Sequence, residues 1–173
     1  MEVVCVVGGR APGRVACPFA NMGYSEETAS FRFHHTMIRV KDPKVSLDFY
    51  ENVLGMELID KMEGSDFTLY FLAYQHQKNE PLGKREAVLE LTHNHGTEND
   101  PNLSYHNGNS EPRGFGHLAI SVDNIEAACE RFERLGVKWQ KRLTDGRMKT
   151  IAFILDPDNY WIEVVPSTLS FSK

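Results

Sequence analysis

The segment HTMIRV at residues 35–40 has a counterpart in HLAISV at residues 117–122. Each segment is rich in apolar and β-branched residues, which predicts a strand. After each one comes a helical pattern that ends at a Leu-Gly pair, at residues 54–55 and 135–136. Each copy closes on a strand pattern that carries a glutamate, Glu90 within LEL and Glu163 within IEV. The chain therefore contains two copies of one unit, and this repeat decides the fold.

Further strand patterns complete both copies, at residues 57–61, 67–74 and 87–93 and at residues 137–140, 150–155 and 160–165. Together they predict an α+β fold in which two βαβββ repeats form a curved mixed sheet. We divide the chain into an N-terminal arm (1–30), a repeated domain (31–166) and a C-terminal tail (167–173). The domain comprises repeat one (31–94), a long loop (95–113) and repeat two (114–166). Because the loop is longer than most connections, we expect it to act as a lid or to span a dimer.

Residues at the element ends predict where each strand and helix begins and stops. The first strand pattern begins at Phe31 and reaches Val40. Asp42 before Pro43 predicts an N-cap and a first-turn proline, and Asp123 can cap the second helix with an acidic residue three positions later. The glycine of each Leu-Gly pair is typical of a helix C-cap.

Composition narrows the classes of function. Of the 173 residues, 41% are hydrophobic and 25% charged, which is ordinary for a globular protein. The net charge of −5 and the absence of a Lys/Arg run argue against nucleic acid and membrane surfaces as partners. No apolar run approaches the roughly 18 residues that a membrane span needs. The cysteines, Cys5, Cys17 and Cys129, are widely spaced and odd in number, which favours a reducing cytoplasm.

Two histidines and two glutamates occupy aligned positions of the repeat. Side chains alternate along a strand, so His35 and Glu90 can face one surface, as can His117 and Glu163. Burying a carboxylate in an apolar strand without a partner costs several kcal/mol of folding free energy. We therefore expect a cation next to both glutamates. The four residues predict a divalent-metal site, and the lack of cysteine excludes a closed thiolate zinc site. This ligand set alone does not choose among zinc, nickel, cobalt and manganese.

A family resemblance extends from about Phe33 to Val165. The sequence resembles glyoxalase I of the vicinal-oxygen-chelate superfamily, and the insert from His95 to Pro112 resembles the longer-chain, typically zinc-using branch. The matching stretches are HTMIRVKDP (35–43), SLDFY (46–50), VLGM (53–56), LELTHN (89–94), YHNGN (105–109), PRGFGH (112–117), DPD (156–158) and YWIE (160–163).

The resemblance implies an enzyme of methylglyoxal detoxification, a carbon–sulfur lyase. Its reaction converts the hemithioacetal of methylglyoxal and glutathione to S-D-lactoylglutathione by metal-assisted proton transfer through an enediolate. The resemblance implies the same four metal ligands, His35, Glu90, His117 and Glu163. Glu163 is the implied principal base, and Glu90 could serve the other hemithioacetal enantiomer. One divalent metal per active site is expected, zinc first and nickel or cobalt as alternatives, with glutathione as co-substrate.

The resemblance also implies substrate contacts and a partner. It places Arg39, Asn94 and Arg113 at the γ-glutamyl end of glutathione, with His117 also facing the substrate. Near the glycine end it places Lys141, Arg147 and Met148, although Lys141 and Arg147 could equally be plain surface charges. It implies a cytoplasmic homodimer in which His35 and Glu90 meet His117 and Glu163 of another subunit.

Some positions depart from the family pattern. His35 stands where many longer-chain members carry Gln, which keeps nickel and cobalt open. His95 replaces a usual Trp, Asn159 a usual Gly and Arg147 a usual Lys. The alternatives are a dioxygenase or thiol transferase of the same superfamily, or a non-catalytic metal- or thiol-binding module. Those enzymes use two His and one carboxylate, so Glu163 in addition to Glu90 argues against them.

Overall fold

The computed structural model describes residues 26–170. Most of the predicted N-terminal arm and the last three residues of the predicted tail therefore lie outside the described residues, as do Cys5 and Cys17. The described chain divides into two units between Phe33 and His34. Before the division there is a 3₁₀ turn at Glu26–Thr28, and the repeats lie after it.

Repeat one forms a four-stranded mixed sheet. Its strands are β1 (His35–Arg39), β2 (Glu57–Glu63), β3 (Phe67–Ala73) and β4 (Val88–Asn94), and its helix α1 (Pro43–Asp48) continues into a π-helical turn at Phe49–Val53. The strand order is β1-β4-β3-β2. Strand β1 runs parallel to β4, whereas β3 runs antiparallel to both of its neighbours.

Repeat two forms a second sheet of the same design. Its elements are β5 (His117–Val122), α2 (Ile125–Arg134), β6 (Trp139–Lys141), β7 (Ala152–Leu155) and β8 (Trp161–Pro166). The strand order is β5-β8-β7-β6, with β5 parallel to β8. Met37 lies opposite Glu90, and Ala119 lies opposite Glu163, so the two copies share one register. The prediction of an α+β fold with two βαβββ repeats is confirmed.

The element ends follow the predicted signals with two differences. The Asp42 side chain accepts a hydrogen bond from the Lys44 amide at 2.9 Å, as an N-cap should. The prediction of Asp123 as the second cap is wrong, because Asn124 Oδ1 accepts from the Ala127 amide at 2.8 Å instead. Strand β1 begins at His35 rather than Phe31, since β4 begins at Val88, directly opposite His35.

A single hydrophobic core joins the two repeats. Ile38 of β1 turns its side chain into it, opposite in direction to His35 and Arg39. Its fully buried members come from both sheets and include Val40, Leu72, Leu91, Ile154, Ile162 and Val164. From residue 26 to residue 170, none of the helices combines the length and the apolar character that crossing a membrane requires.

Among the polar contacts that cross from one repeat to the other, those of Tyr50 and Arg131 connect the first helix to repeat two, and we call them the inter-repeat joint. The Tyr50 hydroxyl donates to Asp156 Oδ2 at 2.8 Å, and both residues are 1% exposed. Arg131 of α2 donates to the carbonyls of Asn52 and Val53 at 2.7 and 3.3 Å. The joint therefore caps the carbonyl end of the first helix and ties Tyr50 to the turn that precedes β8.

The turn at residues 156–160 is fixed by Asp156 as well. Asp156 Oδ1 accepts from the amides of Asp158 and Tyr160 at 2.9 and 2.8 Å. Asn159 has a φ of +65°, a left-handed conformation that asparagine adopts more readily than most residues other than glycine. This turn leads directly into β8 and thereby sets the position of Glu163.

We expect the protein to lose stability as the pH rises towards neutrality, because of Asp156. Burial raises the pKa of this carboxyl from 3.8 to about 7. The protonated form therefore predominates below about pH 7 in the folded state, but only below pH 3.8 in the unfolded chain. The stability that it contributes is complete below pH 3.8, falls as the pH rises, and is lost once the pH passes about 7.

The measurement is the free energy of unfolding from urea titrations between pH 4 and pH 8. The wild-type curve should fall relative to that of Asp156→Asn, with a slope of up to about 1.4 kcal/mol per pH unit. Asp123→Asn, which alters an exposed carboxylate, is the control and should run parallel to the wild type. Parallel curves for the wild type and Asp156→Asn would contradict the expectation.

Candidate metal centre

His35 and Glu90 form a pair on the open face of the first sheet. His35 Nε2 lies 3.2 Å from Glu90 Oε2. The other oxygen of Glu90 accepts from the Thr92 hydroxyl at 3.2 Å, which orients the carboxylate. The ring of Phe71, opposite Glu90 on β3, packs edge-on against His35 at a centroid distance of 6.3 Å.

His117 and Glu163 form the equivalent pair on the second sheet. His117 Nε2 lies 3.4 Å from Glu163 Oε2. Phe153 lies opposite Glu163 on β7, and its ring packs edge-on against His117 at 5.4 Å. The predictions from sequence missed Phe71 and Phe153, although aligning the repeats strand by strand would have found an aromatic residue at both places.

Each pair has the chemistry and spacing of two ligands on one metal ion. Two atoms that each bind an ion at about 2.1 Å lie about 3.0–3.4 Å apart when the bond angle is between about 90° and 109°. The observed separations of 3.2 and 3.4 Å fall in that range. Neutral imidazole and carboxylate are ligands that zinc, nickel and cobalt accept. The residues present therefore fit a divalent metal.

The two pairs do not meet within one chain. Across residues 26–170, no three or more His, Cys, Asp or Glu side chains are placed together so that they could hold an ion. The histidine side chains are open, with 40% exposure for His35 and 43% for His117. Each repeat therefore presents one His–Glu pair, half of the predicted four-ligand set, on an open face.

The two glutamates are held differently. The Glu90 side chain is 12% exposed and has the Thr92 hydroxyl as a second partner. The Glu163 side chain is 19% exposed, and the residue two positions further on is Val165, which has no hydroxyl to offer. Glu163 is thus the less restrained carboxylate of the two.

Comparison with known proteins identifies the family. Residues 32–164 match the model of the Glyoxalase/Bleomycin resistance protein/Dioxygenase superfamily. A lactoylglutathione lyase of Pseudomonas putida is 53% identical over 152 residues, which cover 82% of this chain and 88% of that protein. The chain belongs to the glyoxalase I family.

Other members agree with this assignment. A lactoylglutathione lyase of Schizosaccharomyces pombe is 57% identical over 140 residues, which are 79% of this chain. The chain spans only 45% of the length of that relative. The solved structure of the trypanothione-dependent glyoxalase I of Leishmania major superposes with a TM-score of 0.63 at 33% identity, covering 79% of this chain and 87% of that one.

The predicted γ-glutamyl contacts of this glyoxalase I family member lie at three places. Arg39 is exposed on the ligand face of β1, opposite Thr92, and Asn94 ends β4 two residues beyond Thr92. Arg113 lies in the connection before β5, where its Nε is 3.0 Å from Glu111 Oε1. Arg39 and Asn94 therefore share the face of His35 and Glu90, whereas Arg113 precedes the second pair in sequence.

Lys141 of this family member is engaged by its own chain. Its ammonium donates to the carbonyls of Met148 at 2.6 Å, Ile151 at 2.7 Å and Arg142 at 3.2 Å. Three acceptors match the three N–H donors of a lysine. Lys141 thus organises the following loop, in which Arg147 and Met148 are exposed. The sequence carried no signal for this role, because the loop has no periodic pattern.

The long insert is tied to its own chain on both sides. The Thr97 hydroxyl donates to the Lys41 carbonyl at 2.8 Å, and Lys41 Nζ donates to the Leu103 carbonyl at 3.0 Å. Further along, Asn107 Nδ2 donates to the carbonyl of Asn159 at 2.8 Å. The loop therefore runs from repeat one to the turn before β8 and braces the strand that carries Glu163.

Proposed function

We propose that this chain is a lactoylglutathione lyase. It converts the hemithioacetal of methylglyoxal and glutathione to S-D-lactoylglutathione. The observation that carries the proposal is the pair of His–Glu contacts at equivalent positions of two repeats. The names of the relatives that are more than half identical support it. The expected compartment is the reducing cytoplasm, where glutathione is available and an odd number of widely spaced cysteines is tolerated.

The chemistry is a proton transfer between neighbouring carbons, and we assign it to Glu163. The metal, when bound, supplies the positive charge that lowers the energy of the enediolate. Glu163, as the less restrained carboxylate, takes the proton from C1 and returns it to C2. Glu90, held by Thr92, mainly acts as a ligand and could serve the opposite enantiomer of the hemithioacetal.

The complete site requires a second copy of the chain. Each chain presents two half-sets of ligands on open faces. A two-fold dimer lets His35 and Glu90 face the partner's His117 and the partner's Glu163, and the same contact recurs at the second site. A homodimer with two sites therefore satisfies all eight ligands.

Substrate recognition follows from the cations and amides around the ligands. Arg39 and Asn94, beside His35 and Glu90, are assigned to the γ-glutamyl end together with Arg113, and His117 faces the reacting part of the substrate. The loop with Arg147 and Met148, held by Lys141, is assigned to the glycine end. Arginine suits a carboxylate because its planar fork donates two parallel hydrogen bonds.

Arg39→Ala should lower kcat/KM for the glutathione adduct by about 10-fold or more, because it removes a charge-assisted hydrogen bond worth roughly 1.5–3 kcal/mol. The measurement is a steady-state titration with the hemithioacetal. Arg134→Ala, at an exposed position of α2, is the matched control and should behave like the wild type. An unchanged kcat/KM for Arg39→Ala would exclude this residue as a carboxylate contact.

Removal of the metal should abolish activity. We propose zinc as the native ion, with nickel and cobalt as alternatives, because imidazole and carboxylate ligands accept all three. The test measures hemithioacetal consumption and metal content on the same sample, before and after chelation. Zinc, nickel and cobalt should each restore activity to a different degree. Full turnover by a sample shown to be free of metal would refute the proposed function.

A further inference from the structure

His34, immediately before the ligand His35, is held in one orientation by two contacts. Its main-chain carbonyl accepts from the Val88 amide at 3.0 Å, at the start of β4. Its Nε2 lies 2.9 Å from the carbonyl of Leu82, in the 3₁₀ turn Leu82–Lys84 between β3 and β4. A carbonyl oxygen only accepts hydrogen bonds, so Nε2 of His34 must carry a hydrogen.

The other nitrogen of His34 faces the ligand. His34 Nδ1 lies 2.7 Å from His35 Nδ1, with the two rings edge to face at 5.0 Å. In a neutral imidazole that is protonated at Nε2, Nδ1 is an acceptor. When both rings are neutral, His35 is therefore the donor in this contact, and its hydrogen lies on Nδ1.

This assignment leaves the lone pair of His35 on Nε2, the nitrogen that lies 3.2 Å from Glu90. We propose that His34 is a positioning residue that transmits the polarity of the Leu82 carbonyl to His35 and holds His35 in the tautomer that binds a divalent cation. The inference rests on the proposed metal site and adds a residue to it. Outer partners of this kind fix both the tautomer and the ring orientation of a metal-binding histidine.

The second repeat has no side chain in the position of His34. The residue before His117 is Gly116, which has no side chain to offer the ligand. His35 and His117 thus occupy the same position in their sheets, but only His35 has a preceding side chain that contacts its ring. The metal affinity of the whole site should therefore depend on a residue beside one ligand only.

The test uses His34→Leu and His34→Gln in the full chain. Leucine removes both side-chain contacts, to Leu82 and to His35, whereas glutamine can accept from His35 with its oxygen and donate to Leu82 with its nitrogen. Zinc affinity is measured by competition with a chromophoric chelator. We expect His34→Leu to bind zinc about 10- to 100-fold more weakly, and His34→Gln to stay within a few-fold of the wild type. His76→Leu, at an exposed histidine, is the matched control and should not change the affinity.

The tautomer is read independently by nitrogen-15 NMR of the metal-free protein, which distinguishes ring nitrogens with and without hydrogen. His35 should carry hydrogen on Nδ1 in the wild type and in His34→Gln, and a mixture of forms in His34→Leu. Equal zinc affinity in the wild type and His34→Leu, or an equally weak His34→Gln, would overturn the role of His34. A wild type that binds no zinc would instead overturn the proposed metal site.

Discussion

Glu163→Gln should lower kcat by about 10²–10⁴-fold, the range that general acid–base catalysis contributes. Glutamine preserves the size of the side chain and can still coordinate weakly, but it cannot accept a proton. Glu163 also has the weaker restraint of the two glutamates, with greater exposure and no neighbouring hydroxyl at Val165. The measurement is kcat at saturating hemithioacetal, with the metal content of the variant determined on the same sample.

Glu90→Gln is the matched control, because it makes the same chemical change at the aligned position. It should reduce metal content more than Glu163→Gln does, since Glu90 is the carboxylate that Thr92 holds in place. Its kcat per bound metal ion should fall less than that of Glu163→Gln. If Glu163→Gln turns over at nearly the wild-type rate while Glu90→Gln does not, the base is Glu90 and the assignment is wrong.

Mixing two inactive variants should restore activity if the site is shared between chains. His35→Ala and His117→Ala homodimers each carry one lesion in every site and should be nearly inactive. After an equal mixture is unfolded and refolded, random two-fold pairing makes about half of the dimers heterodimers. Each heterodimer contains one site with both lesions and one with neither. Roughly a quarter of wild-type activity should therefore return.

The matched control mixes His35→Ala with Glu90→Ala. Both lesions lie in the same half-set, so every site of that heterodimer is damaged and no activity should return. Heterodimer formation is verified by native mass spectrometry in both mixtures. If the first mixture stays as inactive as the second although its heterodimers have formed, each chain completes its own site and the shared arrangement is rejected.

Much of the fold and the two His–Glu pairs of the candidate metal centre could be predicted from sequence, because the signals lie within single strands and in the repeat. Alternation along β1 separates His35 and Arg39 from the buried Ile38, and the structure follows that pattern. The repeat then supplied the alignment of Glu90 with Glu163, which the shared register confirms. The first inference needs only the alternation of side chains along a strand, and the second needs only a comparison of two segments of the sequence.

The features that sequence did not reveal depend on contacts between distant or irregular segments. Tyr50 and Asp156 are 106 residues apart, and no periodicity connects them. The carbonyls that bind Lys141 belong to a loop whose path is set by its own hydrogen bonds. Asp123 and Asn124 are both capable caps, and the choice depends on β5 ending at Val122 and the helix starting at Ile125.

The inter-repeat joint makes the two copies of the unit non-interchangeable. Tyr50 stands four residues before Leu54, and Arg131 stands four residues before Leu135, so they occupy the same place in the two copies. Each reaches across to the other copy, one through a hydroxyl and the other through a guanidinium. A chain assembled from two first copies would keep four suitable ligands but would have no Asp156 for its tyrosines. The two copies therefore match at the His and Glu positions and differ in the side chains by which they contact each other, so neither copy could replace the other without loss of one of these contacts.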